Sequence, residues 1–400
     1  MGDVLKVLTS LIILCCVVTV QPQSGYRSGP GGSEEFLLPQ GYGIELLNSK
    51  GTSGIYNDVS NISSMNPASI YTLENLSFGF SYQFQTNLDT AWIAGIGTSR
   101  IQNYIPQSLG SVIHYENLSF GIGFSQKYNG SLDFGPIEIT TVTNPDGTGE
   151  YYYPEFENTI QCYTLSAAYH FKDVFTENNN LSFGLTYFLN NFHSRESIGM
   201  VTASASALGS NFELGAYYEI QLNDNQNLNV GTTYTFNTSI TDQAQYEGNY
   251  LINQDSIPGS IHGIYQVAAQ PFTLIVYFPS ELSFDFYFKT GDNLELLARV
   301  NNIFWNNVSQ NTKDQLELST SAVYSFNRST NVSLGLFYTG KEFIEDYFNI
   351  SSELYAVYFT LGVSFQINFL KVDLAFADSR LLSGDFWEQT IGKIGLGIQL

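Results

Sequence analysis

The sequence predicts an all-β protein, a transmembrane antiparallel β-barrel of about fourteen strands with an N-terminal plug. Apolar and small polar residues alternate along segments of about ten residues through most of the chain, the length of a strand that crosses a membrane. The connections between these segments alternate between short and long, as in membrane barrels. Apolar and polar residues also alternate along the strands of a soluble β-sandwich. Bulky apolar residues on one face and small polar residues on the other favour lipid outside and a polar lumen inside.

The chain opens with an apolar segment that is typical of a secretory signal. Residues 4–20 are mostly apolar and carry a single basic residue, Lys6. We assign residues 1–24 to a signal peptide, since a short apolar run with a basic residue before it has this function. A lipoprotein site at Cys15 or Cys16 is the alternative. No later stretch is long and apolar enough to predict a membrane helix.

Composition and charge exclude several classes of function. The chain of 400 residues has a formal net charge of −22, which argues against a nucleic-acid partner because phosphate binding needs basic surfaces. Cys162 is the only cysteine after the signal, so no disulfide framework or cysteine zinc site is predicted. The histidines are not paired at metal-ligand spacing, and catalytic motifs are absent from the sequence. We therefore expect no catalysis, no cofactor and no metal site.

Residues 25–73 precede the first predicted strand, and we assign them to the plug. They lack sustained alternation but contain scattered apolar residues, whereas a disordered tail would be more polar. Pro67 fixes its own φ and biases Asn66 away from helix, and Asn66 can bond nearby backbone, so this pair predicts a sharp bend. The apolar residues are Ile55, Tyr56, Val59, Ile62, Met65 and Ile70.

A repeated five-residue pattern marks the start of many predicted strands in the barrel, residues 74–400. It reads Asn-Leu-Ser-Phe-Gly at residues 75–79, 117–121 and 180–184. Looser copies begin at Asn227, Asn293 and Asn331. Because side chains alternate along a strand, each copy predicts one lipid face and one lumen face. We expect Phe78, Phe80, Tyr82, Phe120, Ile122 and Phe124 to contact lipid, and Ser77, Gly79, Ser81 and Gly121 to line the lumen.

The lengths of the connections fix the number and direction of the strands. Short turns are predicted at residues 115–117, 172–179, 223–226, 290–293, 327–330 and 366–369. Long connections are predicted at residues 85–107, 128–158, 194–211, 240–280, 307–314, 342–352 and 379–390. The two kinds alternate and together join fourteen strands. Short turns are periplasmic and long connections face outward in barrels of this kind.

The segment before the first strand is similar to a known family. Residues 51–68, with Asp58 and then Asn66, Pro67 and Ala68, resemble the N-terminal hatch of the FadL/TodX family of outer-membrane hydrophobic-compound transporters. Residues 207–218 carry a further match. Other matches are Pro279 and residues 301–305. The resemblance implies a fourteen-stranded barrel closed by a hatch, with ligand capture by the third and fourth outer loops, an inner pocket and a lateral opening in the wall.

The resemblance also implies a location and a task. We expect a channel in the bacterial outer membrane for passive uptake of hydrophobic compounds such as long-chain fatty acids, with membrane lipid and hydrophobic small molecules as its partners. The alternative is a surface scaffold of a protein secretion system, with secretion-system proteins as partners, because a branch of the family has this task. A soluble all-β adhesin is a third possibility, which would leave the outward aromatic rows unexplained. An apolar lumen favours the channel, and a polar lumen blocked by the plug favours the scaffold.

Two groups of residues are candidates for the ligand path. Phe272, Leu274, Val276 and Phe278 form an apolar run inside the fourth long connection, and an exposed apolar patch usually marks a binding site. The alternative is that this run extends the following strand. Asn66, Pro67 and Ala68 in the plug form the second group.

Overall fold

The computed structural model describes residue 50 and residues 58–85, 98–100, 106–133, 137–138, 149, 151–152, 154–198, 201–223, 225–252, 263–266, 272–307, 313–342, 353–382 and 390–399. The predicted signal peptide, with Cys15 and Cys16, and most of the plug before residue 58 lie outside this set. Within these ranges, no helix is both long enough and apolar enough to cross a membrane.

Almost all regular structure in the described residues is β-strand. The strands are β1 (Ser77–Gln85), β2 (Thr98–Arg100), β3 (Pro106–Tyr115), β4 (Leu118–Asp133), β5 (Ile137–Glu138), β6 (Tyr151–Tyr152), β7 (Pro154–Phe171), β8 (Asn180–Ile198), β9 (Val201–Asn223), β10 (Gln226–Thr235), β11 (Thr238–Ile252), β12 (Gly263–Gln266), β13 (Phe272–Phe278), β14 (Ser280–Thr290), β15 (Leu294–Phe304), β16 (Gln315–Asn327), β17 (Thr330–Glu342), β18 (Glu353–Ile367), β19 (Leu370–Asp378) and β20 (Thr390–Gln399). Three short 3-10 helices are η1 (Val59–Asn61), η2 (Pro67–Thr72) and η3 (Trp305–Asn307).

Fourteen strands form a closed antiparallel barrel, which confirms the predicted fold class. The ring runs β1, β3, β4, β7, β8, β9, β10 and then β14 to β20, each paired with the next. β1 closes the ring because it pairs with both β3 and β20; Gly79 lies opposite Gly110 on one side and Gly397 on the other. A closed ring has no unpaired strand edge.

The six predicted short turns are confirmed, and all lie at one end of the barrel, called here the short-turn end. Local side-chain chemistry explains several of them. The Asn223 side chain accepts a hydrogen bond from the backbone of Asn225 (3.0 Å), and Asn327 accepts one from Ser329 (2.8 Å). Such bonds hold the chain in a turn. Gly291 adopts a positive φ of 63°, which glycine tolerates without strain.

Two long connections differ from the prediction. Residues 194–211, predicted as a connection, are mostly strand, because β8 and β9 continue as a paired ladder up to the pair Ile198–Val201. Residues 240–280 contain most of β11 together with β12 and β13, and β11 pairs with β13 from Thr238–Phe278 to Ala244–Phe272. The prediction stopped each strand at the length of a membrane span, but a ladder continues wherever a partner strand continues beside it.

The two faces of the wall agree with the prediction. Phe78 and Ile122 point outward, with exposed fractions of 50% and 59%. Ser77 and Ser81, which alternate with Phe78, are buried on the inside. The exposed row of aromatic and aliphatic side chains continues on the other strands, for example at Leu336. An apolar outer face and a polar inner one are typical of a transmembrane barrel.

Candidate functional site

The described part of the plug, residues 58–73, lies inside the ring. η1 contacts β1, β3, β4 and β20, and η2 contacts β4 and β7 to β10. Of the apolar plug side chains expected from the sequence, Ile55 and Tyr56 lie outside the described residues. The others are buried and pack with Val112 of β3 and Ala168 of β7. These plug residues are Val59, Ile62, Met65 and Ile70, together with Leu73. A small hydrophobic core therefore joins the plug to one half of the barrel wall.

Asn66, Pro67 and Ala68 form the bend of the plug, and all three are buried. Asn66 caps η2 in a non-helical conformation (φ −56°, ψ 118°), and Pro67 follows as the first residue of η2. The Asn66 side-chain oxygen accepts a hydrogen bond from the Ala68 backbone N–H at 3.0 Å. Its amide nitrogen donates to the carbonyl oxygens of Ala216 (3.1 Å) and Thr232 (3.3 Å) in the wall. One side chain therefore holds the bend and fixes it to β9 and β10.

Glycines in the wall make room for this bend. A Cβ atom at Gly184 would overlap with the backbone of Pro67 and Ala68, and one at Gly215 would overlap with the Asn66 side chain. Gly184 ends the third identical copy of the repeated pattern. Only glycine allows such an approach of two backbones. The repeated glycine is therefore a feature of plug seating as well as of strand patterning.

Polar contacts fix the plug to further strands. The Asn61 side-chain oxygen accepts hydrogen bonds from Lys393 Nζ of β20 (2.7 Å) and Ser108 Oγ of β3 (3.3 Å). Thr164 Oγ1 of β7 donates to Ser63 Oγ at 2.8 Å. On the far half of the ring, Lys50 forms an ion pair with Glu295 at the start of β15. The plug is thus hydrogen-bonded on several sides.

Aromatic stacking contributes at the end of η2. The Tyr71 ring stacks on His170 with centroids 4.0 Å apart, and it meets Tyr217 edge-on at 5.9 Å. Burial, followed by the nearby charge of Glu219, raises the pKa of the Tyr71 phenol, so this group is neutral at physiological pH.

The lumen beyond the plug has an apolar zone, called here the upper apolar layer. On one side it consists of Phe188 and Phe192 of β8, which follow Gly184 by even intervals and so share its inward face. β17 and β18 lie halfway around the ring, where Phe337 and Tyr358 are ladder partners with rings 6.2 Å apart. All four side chains are at most 6% exposed. The remaining members are Ile160, Ala356, Ala375, Ala377 and Ile391.

The lumen wall between these two apolar sides is acidic. Glu213, Glu281, Asp285 and Glu317, called here the acidic wall, come from β9, β14 and β16, and Arg299 of β15 lies among them. The lumen is therefore neither wholly apolar nor wholly polar. It combines an apolar layer with one charged side.

The structure places the run Phe272–Phe278 in strand β13, directly before β14, which agrees with the alternative that the run is strand and not with its assignment to a loop. The ladder of β10 and β14 ends at Thr235–Glu281, and that of β11 and β13 resumes at Thr238–Phe278. Phe278 is buried. Binding of a ligand by Phe272, Leu274, Val276 and Phe278 stays a prediction.

The structure does not bring this run together with the plug triplet. The two are related through the chain segment from Thr232 of β10, whose carbonyl accepts a hydrogen bond from Asn66, to Thr238 at the start of β11, which pairs with Phe278. Six residues of extended chain span about 20 Å. The upper apolar layer, which sequence reasoning missed, lies beyond the plug. The sequence did carry a signal for this layer, because Phe188 and Phe192 are large apolar residues on the inward face of β8, where small residues are expected.

The described residues include no group of three histidine, cysteine, aspartate or glutamate side chains that could hold a metal ion. His114 and His170 contact the hydroxyls of Ser119 (2.7 Å) and Ser182 (2.9 Å) at the short-turn end. Cys162 is buried in β7.

Comparison with known proteins shows a fold that solved structures share. No protein-family model and no curated protein matches the chain. The crystal structure of the toluene transporter TbuX from Ralstonia pickettii is similar at 15% identity, covering 91% of this chain and 99% of that one, with a TM-score of 0.62. The toluene transporter TodX from Pseudomonas putida is similar at 15% identity over 90% of this chain and 96% of that one, with a TM-score of 0.56.

A FadL homologue from Pseudomonas aeruginosa is similar at 11% identity, covering 86% of this chain and 95% of that one, with a TM-score of 0.52. The chain thus has the fold of a closed, plugged barrel. More particularly, it has the FadL/TodX-like hydrophobic-compound transporter fold, as the residues of the plug indicated.

Proposed function

We propose that the protein is a channel of the bacterial outer membrane through which hydrophobic compounds diffuse passively, with the plug as its gate. The upper apolar layer carries this proposal. Phe188, Phe192 and Tyr358 are placed inside a barrel whose inner face otherwise carries mostly polar and charged side chains. These side chains are on the inner face and do not contact lipid, and apolar side chains with a few polar groups are the usual lining of a pocket for a hydrophobic ligand. Because they are already buried in the closed barrel, a ligand contacts them only when their present packing opens. In this role the protein is a channel and not an enzyme.

The proposal assigns a task to each part of the chain. Residues 1–24 direct export, residues 25–73 form the plug, and residues 74–400 form the barrel. The outward rows that include Phe78 and Ile122 contact membrane lipid. The strands β11 and β13 extend the wall at the end opposite the short turns, and Leu274 and Val276 lie there as candidate first contacts for the ligand.

Hydrophobic small molecules are the proposed ligands, with toluene-like aromatic hydrocarbons and long-chain fatty acids as the compounds to test. Binding of such ligands depends chiefly on buried area, at about 25 cal/mol per Å². A ligand that buries roughly 200 Å² of apolar surface would gain about 5 kcal/mol by the same measure. Changes to several apolar side chains should therefore weaken binding more than any single polar change.

The test is binding of an environment-sensitive apolar fluorescent probe to purified protein in a maltoside detergent. We expect the wild type to bind and the double variant Phe188→Ser with Phe337→Ser to bind at least about tenfold more weakly, since about 1.4 kcal/mol is a factor of ten. The double variant Leu274→Asp with Val276→Asp tests the proposed first contact. Phe120→Leu, on the outer face, is the control. Equal binding by wild type and the lumen variant would refute the proposed path.

The second candidate is a surface scaffold for secreted proteins. The observation that favours it is the firm attachment of the plug, with Asn61, Ser63 and Asn66 all hydrogen-bonded to the wall. A wild type that binds no apolar probe in the same assay would leave this candidate as the better one.

A further inference from the structure

Two members of the acidic wall, Glu281 and Glu317, are joined by a hydrogen-bond network. Asn301 of β15 connects them, because its amide nitrogen donates to Glu281 Oε2 (3.2 Å) and Glu317 Oε2 (3.4 Å). Gln315 and Thr339 donate to Glu317 Oε1, each at 3.2 Å. Glu213 accepts a hydrogen bond from Thr235 at 2.7 Å. Neutral donors therefore supply most of the bonds to these carboxylates.

Basic groups do not balance the acidic wall. Arg299 lies 3.6 Å from Asp285 and donates a hydrogen bond to Ser283 at 2.8 Å. Lys127 also interacts electrostatically with Glu213. The Nζ atom of Lys127 lies 4.3 Å from the centre of the Phe188 ring. The four carboxyl groups outnumber these two cations.

Asp285 is the member that points to a ligand. Its residue is 1% exposed, and neither of its carboxylate oxygens has a hydrogen-bond partner among the described residues. The facing nitrogen of Arg299, Nη1, also has no hydrogen-bond partner there. Asp285 and Arg299 form an ion pair at 3.6 Å, which is too long for a hydrogen bond. A buried carboxylate that lacks hydrogen-bond donors remains costly, and such a group in a folded protein needs an explanation. Two or three N–H donors brought by a ligand would satisfy it.

The chemistry of the cluster selects an ammonium group over a metal ion. No three ligating side chains converge in the described residues, so a metal would lack its coordination shell. An ammonium needs only hydrogen-bond acceptors and a negative field, and its alkyl part suits apolar neighbours. The upper apolar layer adjoins the acidic wall through Phe188 and Lys127, and Tyr217 and Leu297 lie on the strands of the wall itself.

We propose that the acidic wall is a lumen binding site for the protonated amine of an amphiphilic ligand whose apolar part lies against the upper apolar layer. This inference rests on the proposed channel function and deepens it, because it sets an order of preference among hydrophobic compounds. Cationic amphiphiles bind best, neutral compounds follow, and carboxylates bind least because the same field repels them.

The experiment compares three ligands with the same alkyl chain, namely dodecylamine, dodecanol and dodecanoate at pH 7, by calorimetry on the purified full barrel in a maltoside detergent. We expect dodecylamine to bind at least about tenfold tighter than dodecanol, as a charged hydrogen bond allows. Asp285→Asn should remove most of this advantage while leaving dodecanol affinity unchanged. Glu317→Gln should act in the same direction.

The matched control is Asp373→Asn, which removes a lumen carboxylate that already pairs with Lys371 at 3.1 Å on another part of the wall. It should keep the amine preference. The shift of the barrel on unboiled gels verifies that each variant is folded, and Glu281→Gln replaces any variant that is not.

The outcomes separate the two proposals. Binding of dodecanol without any preference for dodecylamine overturns the amine site and leaves the channel standing. An equal loss of preference in Asp285→Asn and Asp373→Asn also overturns the site, because general charge attraction would then be the cause. Failure of all three ligands to bind refutes the channel function itself.

Discussion

The two halves of the barrel wall differ in what occupies one position of the repeated pattern. On the half that seats the plug, the pattern ends in glycine at residues 79, 121 and 184, and each glycine lies against plug atoms. On the far half, the copy that begins at Asn293 has Leu297 in this position, and its side chain is buried against Val323. Glycine at this position is not confined to the plug half, because Gly335 of β17 also ends a copy and lies against Thr320, Ser321 and Thr360 of the wall. What distinguishes the three identical copies is that their glycines lie against the plug, whereas Leu297 fills the corresponding space with a side chain.

The largest expected effect comes from the outer face, where the two halves should behave alike. Ile122→Arg on the plug half and Leu361→Arg on the far half should each destabilise the barrel by roughly 2–4 kcal/mol if they lie near the membrane midplane. Both side chains are exposed on the outer face. Urea unfolding in lipid vesicles measures the change. Wild-type stability of either variant would mean that the corresponding face does not meet lipid.

A substitution where the wall contacts the plug should destabilise the barrel more than the same substitution away from the plug. Gly184→Ala places a methyl group against the backbone of Pro67 and Ala68, and we expect a loss of about 1–3 kcal/mol because neither backbone can easily move. The matched control is Gly397→Ala, whose added Cβ would meet Lys371 at an ordinary 3.5 Å. The midpoint of thermal unfolding on unboiled gels measures both. A control as unstable as Gly184→Ala would show that glycine is needed for the strand and not for the plug.

The smallest expected effect is at the cap of the bend. Asn66→Ala removes the bond to Ala68 and two bonds to the wall, and we expect about 1–2 kcal/mol of destabilisation, local to the plug. Limited proteolysis should then cut the plug faster while the strands stay protected. Asn75→Ala, which removes a bond to His114 outside the bend, is the control. Identical cleavage of the two variants would argue against a special role of Asn66.

Much of the fold could be predicted because the signals are local. Alternation with period two placed Phe78 and Ser77 on opposite faces, and turn residues such as Asn223 and Asn327 fixed the short connections. The connection at residues 194–211 was wrong because residues 201–207 alternate between small residues only, and a rule based on bulky outward side chains does not recognise them as strand. The run at residues 272–278 has bulky alternate residues, but a limit at the length of a membrane span placed it outside the strand.

The site was predicted only in part, for a different physical reason. Asn66 and Pro67 act on their own backbone neighbours, so their role is readable from the sequence. The acidic wall is assembled across the ladders, where Asn301 faces Ser283 on one side and Glu317 on the other. Residues that meet only through strand register carry no local signal, and the sequence alone does not bring Glu213, Asp285 and Glu317 together.

The plug contact at Asn61 has a consequence for assembly. Its side chain bonds Ser108 of β3 and Lys393 of β20, the two strands that flank β1 at the place where the ring closes. Closing this seam brings together the first and last barrel strands, as in the pair Ser77–Gln399, and pairing over such a sequence distance is the slow, entropically costly step of folding. Since Asn61 binds both flanks, the inserted segment holds the two ends of the sheet in register while they join. We infer that the contact at Asn61, which ties the plug to both flanks of the seam in the finished barrel, also favours closure of the ring.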